Sequence, residues 1–366
     1  MATNAETALK TTNQIDFYKK MNFCPTYFES AVEHFYKDVH KYETRSNSWA
    51  QCYTHFVDLK RKYSSSGSPS PEEIDEACVR LGFYMASWGM YRGSSFLLQN
   101  DYKIYKYIVK KIITDHYYDV LWNLDETIIY SATYNDFINT VFDPLKKLID
   151  KICKILKPYK HHYITKSWYA DHSIKRKNCS ISKTLVTKLI LGAIGCYPAI
   201  DSFFSEAIGA VANDLSADQI KCMLRLAYYV KKGHVGFTSK CKKTGNLALS
   251  KYPVMKLIDM YYFTLGMEKP FLKLISNLSS GKKTISKLDS KEKKLLKQFI
   301  IYNEVTKKPE VNISYPCYPI NKKAMPCTCP YLTLGKNKYD DIIDDLTDIE
   351  GALYKEIAKI KVDEEE

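Results

Sequence analysis

Asp201, in YPAIDSFF, and Asp259, in KLIDMYYF, each stand alone among apolar residues. A carboxylate in such surroundings is either tied down by hydrogen bonds or has its proton affinity displaced for chemistry. In the second case it can activate water and stabilise positive charge on a sugar carbon as a glycosidic bond breaks. Trp88, Tyr91, Tyr197, Tyr261 and Tyr262 supply planar faces that could wall a pocket for an extruded base. Arg92 is the single charge between Arg80 and Asp101, set among Trp88, Tyr91 and Phe96, and completes that candidate pocket.

Other chemistries find less support. Cys317, Cys327 and Cys329 cluster, but their spacing matches neither a zinc ribbon nor a four-cysteine iron–sulfur loop. His161, His162 and His172 have no partner at i+4 and go with the basic surface. No Walker loop, G-x-S-x-G elbow, H-E-x-x-H or dinucleotide G-x-G-x-x-G is present. No metal and no cofactor is therefore expected. The 11 cysteines are odd in number and scattered, which implies reduced thiols. With a polar N-terminal stretch and no run of 18 apolar residues, a cytoplasmic chain outside the membrane is expected.

Charge points to a polyanion. The chain carries +13, yet Lys336–Glu366 carries −6, which leaves +19 on the rest. Residues 151–188 hold ten Lys or Arg and one acid, and residues 221–256 hold nine and none. Two such segments suit the two sides of one positive groove. Lys175, Arg176, Lys177, Lys188, Lys242, Lys243 and Lys256 are the candidate DNA-backbone contacts. Thirty Tyr and 15 Phe accompany this charge, and their faces suit base stacking as well as core packing.

The elements that must position these groups have helical period. Helices are expected at Tyr27–Tyr42, Trp49–Tyr63, Tyr102–Trp122 and Asn135–Lys157. Ser70-Pro71-Glu72-Glu73 is a capping box with Pro at the first helical position, opening a helix that should run towards Gln99. On that helix Gly82, Ala86, Gly89 and Gly93 share one face, which calls for a close-packed neighbour. Lys183–Gly195, Pro198–Asn213, Ser216–Lys232, Pro253–Gly266, Asp289–Thr306 and Tyr339–Ile360 complete the helical pattern. Alternating strand patterns are nearly absent, so the fold is expected to be mainly α.

The stretch TLVTKLILGAIGCYPAID, residues 184–201, reads as a helix, a hairpin with Gly192 and Gly195, and a second helix opened by Pro198. It resembles the helix–hairpin–helix unit of DNA glycosylases, whose hairpin runs L-P-G-V-G-x-x-x-A. Leu191, Ala193, Ile194, Gly195 and Ala199 fall on the motif positions. The resemblance implies that Gly192 and Gly195 let backbone N–H groups approach a DNA phosphate. Ala193 replaces the first motif glycine, and Tyr197 stands where bifunctional members carry a Schiff-base lysine, so lyase chemistry through that position is not implied. The family's general-base Asp lies about 20 residues past the hairpin, at Asp214 to Asp218 here. Asp259 has the better context but lies 64 residues past Gly195. ASWGMYRGSSFLLQ, LGAIGCYPAID and YPVMKLIDM together also resemble a group of bacterial proteins.

These readings converge on one expectation. A multi-helix glycosylase-like bundle should hold an N-terminal helical region (1–66), a helical core (67–306, hairpin unit near 184–213) and a Pro/Cys loop with an acidic helix (307–366). The resemblance implies a monofunctional DNA glycosylase that excises a damaged or modified base, including modified bases of phage DNA, with Asp259 or Asp201 as the catalytic carboxylate. The alternatives are a non-catalytic nucleic-acid-binding or interaction module, or a nuclease.

Overall fold

Helix-start chemistry lays out the framework of the computed structural model. It describes residues 14, 16–39, 45, 47–92, 95–159, 164–166, 174–176, 180–209, 214–232, 249–279, 281–284, 287–303 and 308–311. The expected capping box forms: Ser70 Oγ accepts from Glu73 N–H at 3.3 Å, and the Glu73 carboxylate accepts from Ser70 N–H at 2.8 Å. Thr133 and Asp136 build a second such box. The described residues are mainly helical: α1 (Pro25–Val39), α2 (Asn47–Lys62), α3 (Pro71–Ser87), α4 (Lys106–Thr114), α5 (Asp119–Trp122), α6 (Leu124–Tyr130), α7 (Tyr134–Leu156), α8 (Lys183–Ala193), α9 (Ser202–Ile208), α10 (Ala217–Lys232), α11 (Val254–Ser279) and α12 (Ser290–Phe299).

Several boundaries differ from the sequence pattern, each for a local reason. α3 stops at Ser87 because Gly89 takes a left-handed φ of +70°, which closes a helix at little cost only for glycine. Residues 96–99 form a separate 3-10 turn capped by Ser95. Arg92 therefore lies outside the helix and is exposed. The pattern over 102–122 is divided by Asp115, whose carboxylate caps a new turn at Tyr117 N–H. The helix expected over 289–306 ends at Phe299, and the β-prone run Ile300–Asn303 (β3) pairs antiparallel with Lys308–Val311 (β4). Another short pair joins Ile164–Lys166 (β1) to Ile174–Arg176 (β2).

Contacts divide the chain into two units. The first draws on residues 1–35, 202–209 and 261–366, and its core is aromatic. Tyr261 sits among Phe23, Tyr27 and Phe28, with ring centroids 5.0–5.6 Å away. Tyr262 donates its hydroxyl to Met21 O at 2.7 Å, and the buried Glu268 accepts from Tyr27 Oη at 2.5 Å. The second unit draws on residues 36–201 and 210–260. Its helices α2, α3 and α8 pack on one another, while α7 packs on α10. At Gly82 a Cβ would come 3.2 Å from Tyr102 Cβ, but the expected glycine face does not continue: the helix ends before Gly89, which has no neighbour within 4 Å among the described residues, and Gly93 lies outside them.

Candidate functional site

The site is assembled in the second unit around α8. Ser182 caps this helix at Leu185 N–H, and every residue from Leu185 to Ala193 is buried. The TLVT sequence puts two hydroxyls on one face of α8. Thr184 Oγ1 donates to Ile200 O at 2.7 Å, and Thr187 Oγ1 accepts from Ile200 N–H at 2.9 Å. Asp259, on the first turns of α11, accepts from Ala199 N–H at 3.0 Å through Oδ1. Three side chains from two helices therefore hold the segment 199–200, and this hold delivers Asp201.

Asp201 Oδ2 lies 3.8 Å from Lys188 Nζ, an ion pair longer than a hydrogen bond. Lys188 Nζ donates instead to Trp88 O at 3.1 Å. Asp259 is held more tightly: its Oδ2 lies 2.7 Å from Lys256 Nζ, and both residues are buried. The Trp88 ring gathers cations. Arg45 Cζ, Lys188 Nζ and Lys256 Nζ stand 5.3, 5.6 and 5.9 Å from its centroid. Lys256 Nζ also lies 5.1 Å from the Trp49 ring, which stacks on Tyr53 and donates its indole N–H to Leu191 O.

Burial and neighbouring charges act on Lys188. Burial pushes the Lys188 amine below the ordinary lysine range. Asp201 and Asp259 oppose that shift, and Arg92 and Lys256 reinforce it. The exposed Arg45 and Arg92 add positive charge at the periphery. Asp259, with one oxygen on a lysine and the other on a backbone N–H, is suited to holding structure. Asp201 is half-buried, more exposed than Asp259, so it is the carboxylate that solvent reaches more readily.

The sequence-predicted set thus divides. Asp201, Asp259, Trp88, Lys188 and Lys256 come together, but Lys188 and Lys256 are buried and engaged within the protein rather than exposed as the expected DNA-backbone contacts. Tyr91 points elsewhere, sharing a hydrogen bond with Tyr105 Oη at 3.0 Å. Tyr197 is fully buried, and its hydroxyl finds no hydrogen-bond partner among the described residues. Tyr261 belongs to the first unit, where it accepts from Cys24 N–H.

The hairpin glycines correct the expected phosphate contact. Gly195 N–H already donates to Ile190 O at 3.0 Å, and the whole stretch 191–200 is buried. The residue has φ +73° and packs so closely that a Cβ would meet Pro253 at 2.7 Å and Tyr53 at 2.9 Å. A Cβ on Gly192 would meet the Tyr84 ring at 2.4 Å. Both glycines serve packing and helix closure here. The second hairpin helix also begins at Ser202 rather than Pro198, since Ile200 is bonded to the α8 threonines.

Lys175 and Arg176 lie on β2, while Lys177, Lys242 and Lys243 lie outside the described residues, as do the three clustered cysteines, the acidic tail and the three histidines. Among the described residues no group of three His, Cys, Asp or Glu could hold a metal ion, and no helix is long and apolar enough to cross a membrane. Sequence reasoning missed Thr184, Thr187, Trp49 and Arg45. The paired threonines in an apolar helix were a usable signal, whereas Trp49 reads as ordinary core. Comparison with protein-family models, curated proteins and solved structures finds no match for this chain.

Proposed function

We propose that this chain binds DNA and hydrolyses an N-glycosidic bond, with Asp201 as the carboxylate that activates water. The observation carrying this reading is the convergence of Asp201, Lys188 and Trp88 on one half-buried cluster. In the proposed reaction Asp201 takes a proton from water as the base departs and steadies the cationic sugar. The exposed Arg45 and Arg92 attract phosphate, and Trp88 offers a face to the extruded base. Asp259 acts as a positioning residue: through Ala199 N–H it fixes the segment that carries Asp201. The basic segments 151–188 and 221–256 supply the affinity for DNA.

The test is release of free base, scored as alkali-labile abasic sites, from DNA containing uracil, 8-oxoguanine, methylated or glycosylated bases. The reading expects release from at least one, no strand break before alkali and no borohydride-trapped adduct. A trapped adduct at Lys188 would move the chemistry from water to the amine. The second reading is a non-catalytic nucleic-acid-binding module, favoured by the complete engagement of Asp259. Salt-dependent DNA binding with no base release on every substrate would select it.

A further inference from the structure

A recess lies in the second unit, between α7 and the start of α10, with a volume of about 350 Å³. That is within the roughly 300–1,000 Å³ range of small-molecule sites. Two adjacent rows of α7 line it, each at four-residue steps, so each row is one continuous stripe. Tyr134, Ile138 and Phe142 form a half-buried apolar stripe, and Asn135, Asn139 and Asp143 form an exposed polar stripe beside it. From α10, Lys221 Nζ lies 4.9 Å from the Phe142 ring, and Tyr134 Oη donates to Lys221 O at 3.2 Å.

We propose that this recess binds the guanine base of a nucleotide. The aromatic stripe gives a planar ligand a stacking face. Asn135 and Asn139 each offer a donor and an acceptor to a base edge. Asp143 accepts only, and guanine presents two adjacent donors, the ring N–H and the exocyclic amino group, where adenine presents one. The exposed Lys221 stands at the aromatic stripe, where a 5′-phosphate would complement its charge. A sugar phosphate satisfies the lysine and leaves the stacking face and the carboxylate without partners.

The experiment is isothermal titration of the full chain with GMP, AMP and ribose 5-phosphate. GMP should bind saturably at one site, and AMP and ribose 5-phosphate at least about tenfold more weakly. Phe142→Leu keeps an apolar side chain but removes the stacking ring, and Asn139→Ala alters an exposed position. Each should weaken GMP about tenfold with an unchanged thermal midpoint. Asp143→Asn should erase the preference for GMP over AMP. No saturable GMP binding, ribose 5-phosphate binding as tight as GMP, or GMP affinity unmoved in the folded variants would overturn the proposal. It does not rest on the hydrolytic reading of Asp201: Asp201→Asn should leave GMP affinity unchanged.

Discussion

Lys256 and Asp259 lie one helical turn apart on α11, and their charged ends meet at 2.7 Å in a buried site. The other Asp259 oxygen holds Ala199 N–H, so this single carboxylate joins α11 to the segment leading to Asp201. Removing one partner of a buried pair leaves the other charge uncompensated, at a cost of about 3–5 kcal/mol. Asp259→Asn should therefore lower stability by about 3 kcal/mol or more in urea unfolding. An unchanged midpoint would remove the positioning role and restore Asp259 as a candidate for the chemistry itself.

The buried glycines make a graded prediction. Gly195→Ala combines a left-handed backbone with close contacts to Pro253 and Tyr53. Gly89→Ala meets the same backbone strain with nothing within 4 Å of its Cβ among the described residues. Left-handed geometry alone costs about 1–2 kcal/mol for a residue with a Cβ, and overpacking typically adds about 1–3 kcal/mol. Thermal denaturation should rank Gly195→Ala as the more destabilised of the two. Near-native stability with weakened DNA binding in Gly195→Ala would mean that this backbone meets phosphate after all.

Tyr197→Phe should be neutral or stabilising. The hydroxyl is fully buried, and no partner for it exists among the described residues. A buried unsatisfied polar group costs about 1–3 kcal/mol. A clear fall in the thermal midpoint would show that the hydroxyl has a partner in solution.

Alkaline pH should unfold the protein through its tyrosines. Burial raises Tyr53 and Tyr134 from 10.0 to about 12, and places Tyr84, Tyr105 and Tyr262 well above the ordinary range. Because the folded values are raised, the unfolded chain releases these protons first. Stability is full below about pH 10 and falls as the pH climbs towards about 12. Lys188 works in the opposite sense, since its lowered folded value makes stability rise with pH in its own window, but it is one group against many. Tyrosinate absorbance and loss of helical circular dichroism should appear together. Titration of Tyr53, Tyr84, Tyr105, Tyr134 and Tyr262 before unfolding would contradict the burial described here.

Much of the helical framework was legible because its signals are local. The capping box at Ser70, the apolar stripe of α7 and the start of α10 at Ser216–Ala217 all depend on neighbours within four residues. What escaped depends on partners far along the chain. Gly195 looks the same in sequence whether its N–H faces a phosphate or Ile190 O. Asp259 and Asp201 both read as lone acids, and only Ala199 and Lys188 assign them different duties. Trp88 was visible as an aromatic, but the three cations around it come from α8, α11 and Arg45.

The most direct test of the central claim is the rate of base release by Asp201→Asn, measured beside the unsubstituted chain at matched DNA occupancy. The substitution keeps the shape of the side chain and its place beside Lys188 but removes the charge that activates water. The account predicts release by the unsubstituted chain and a loss of about 10²-fold or more in the variant, which still folds and binds DNA although the buried Lys188 loses a counter-charge and the unfolding midpoint falls. Equal release by the two proteins, or none from the unsubstituted chain on every modified base that it binds, would contradict it.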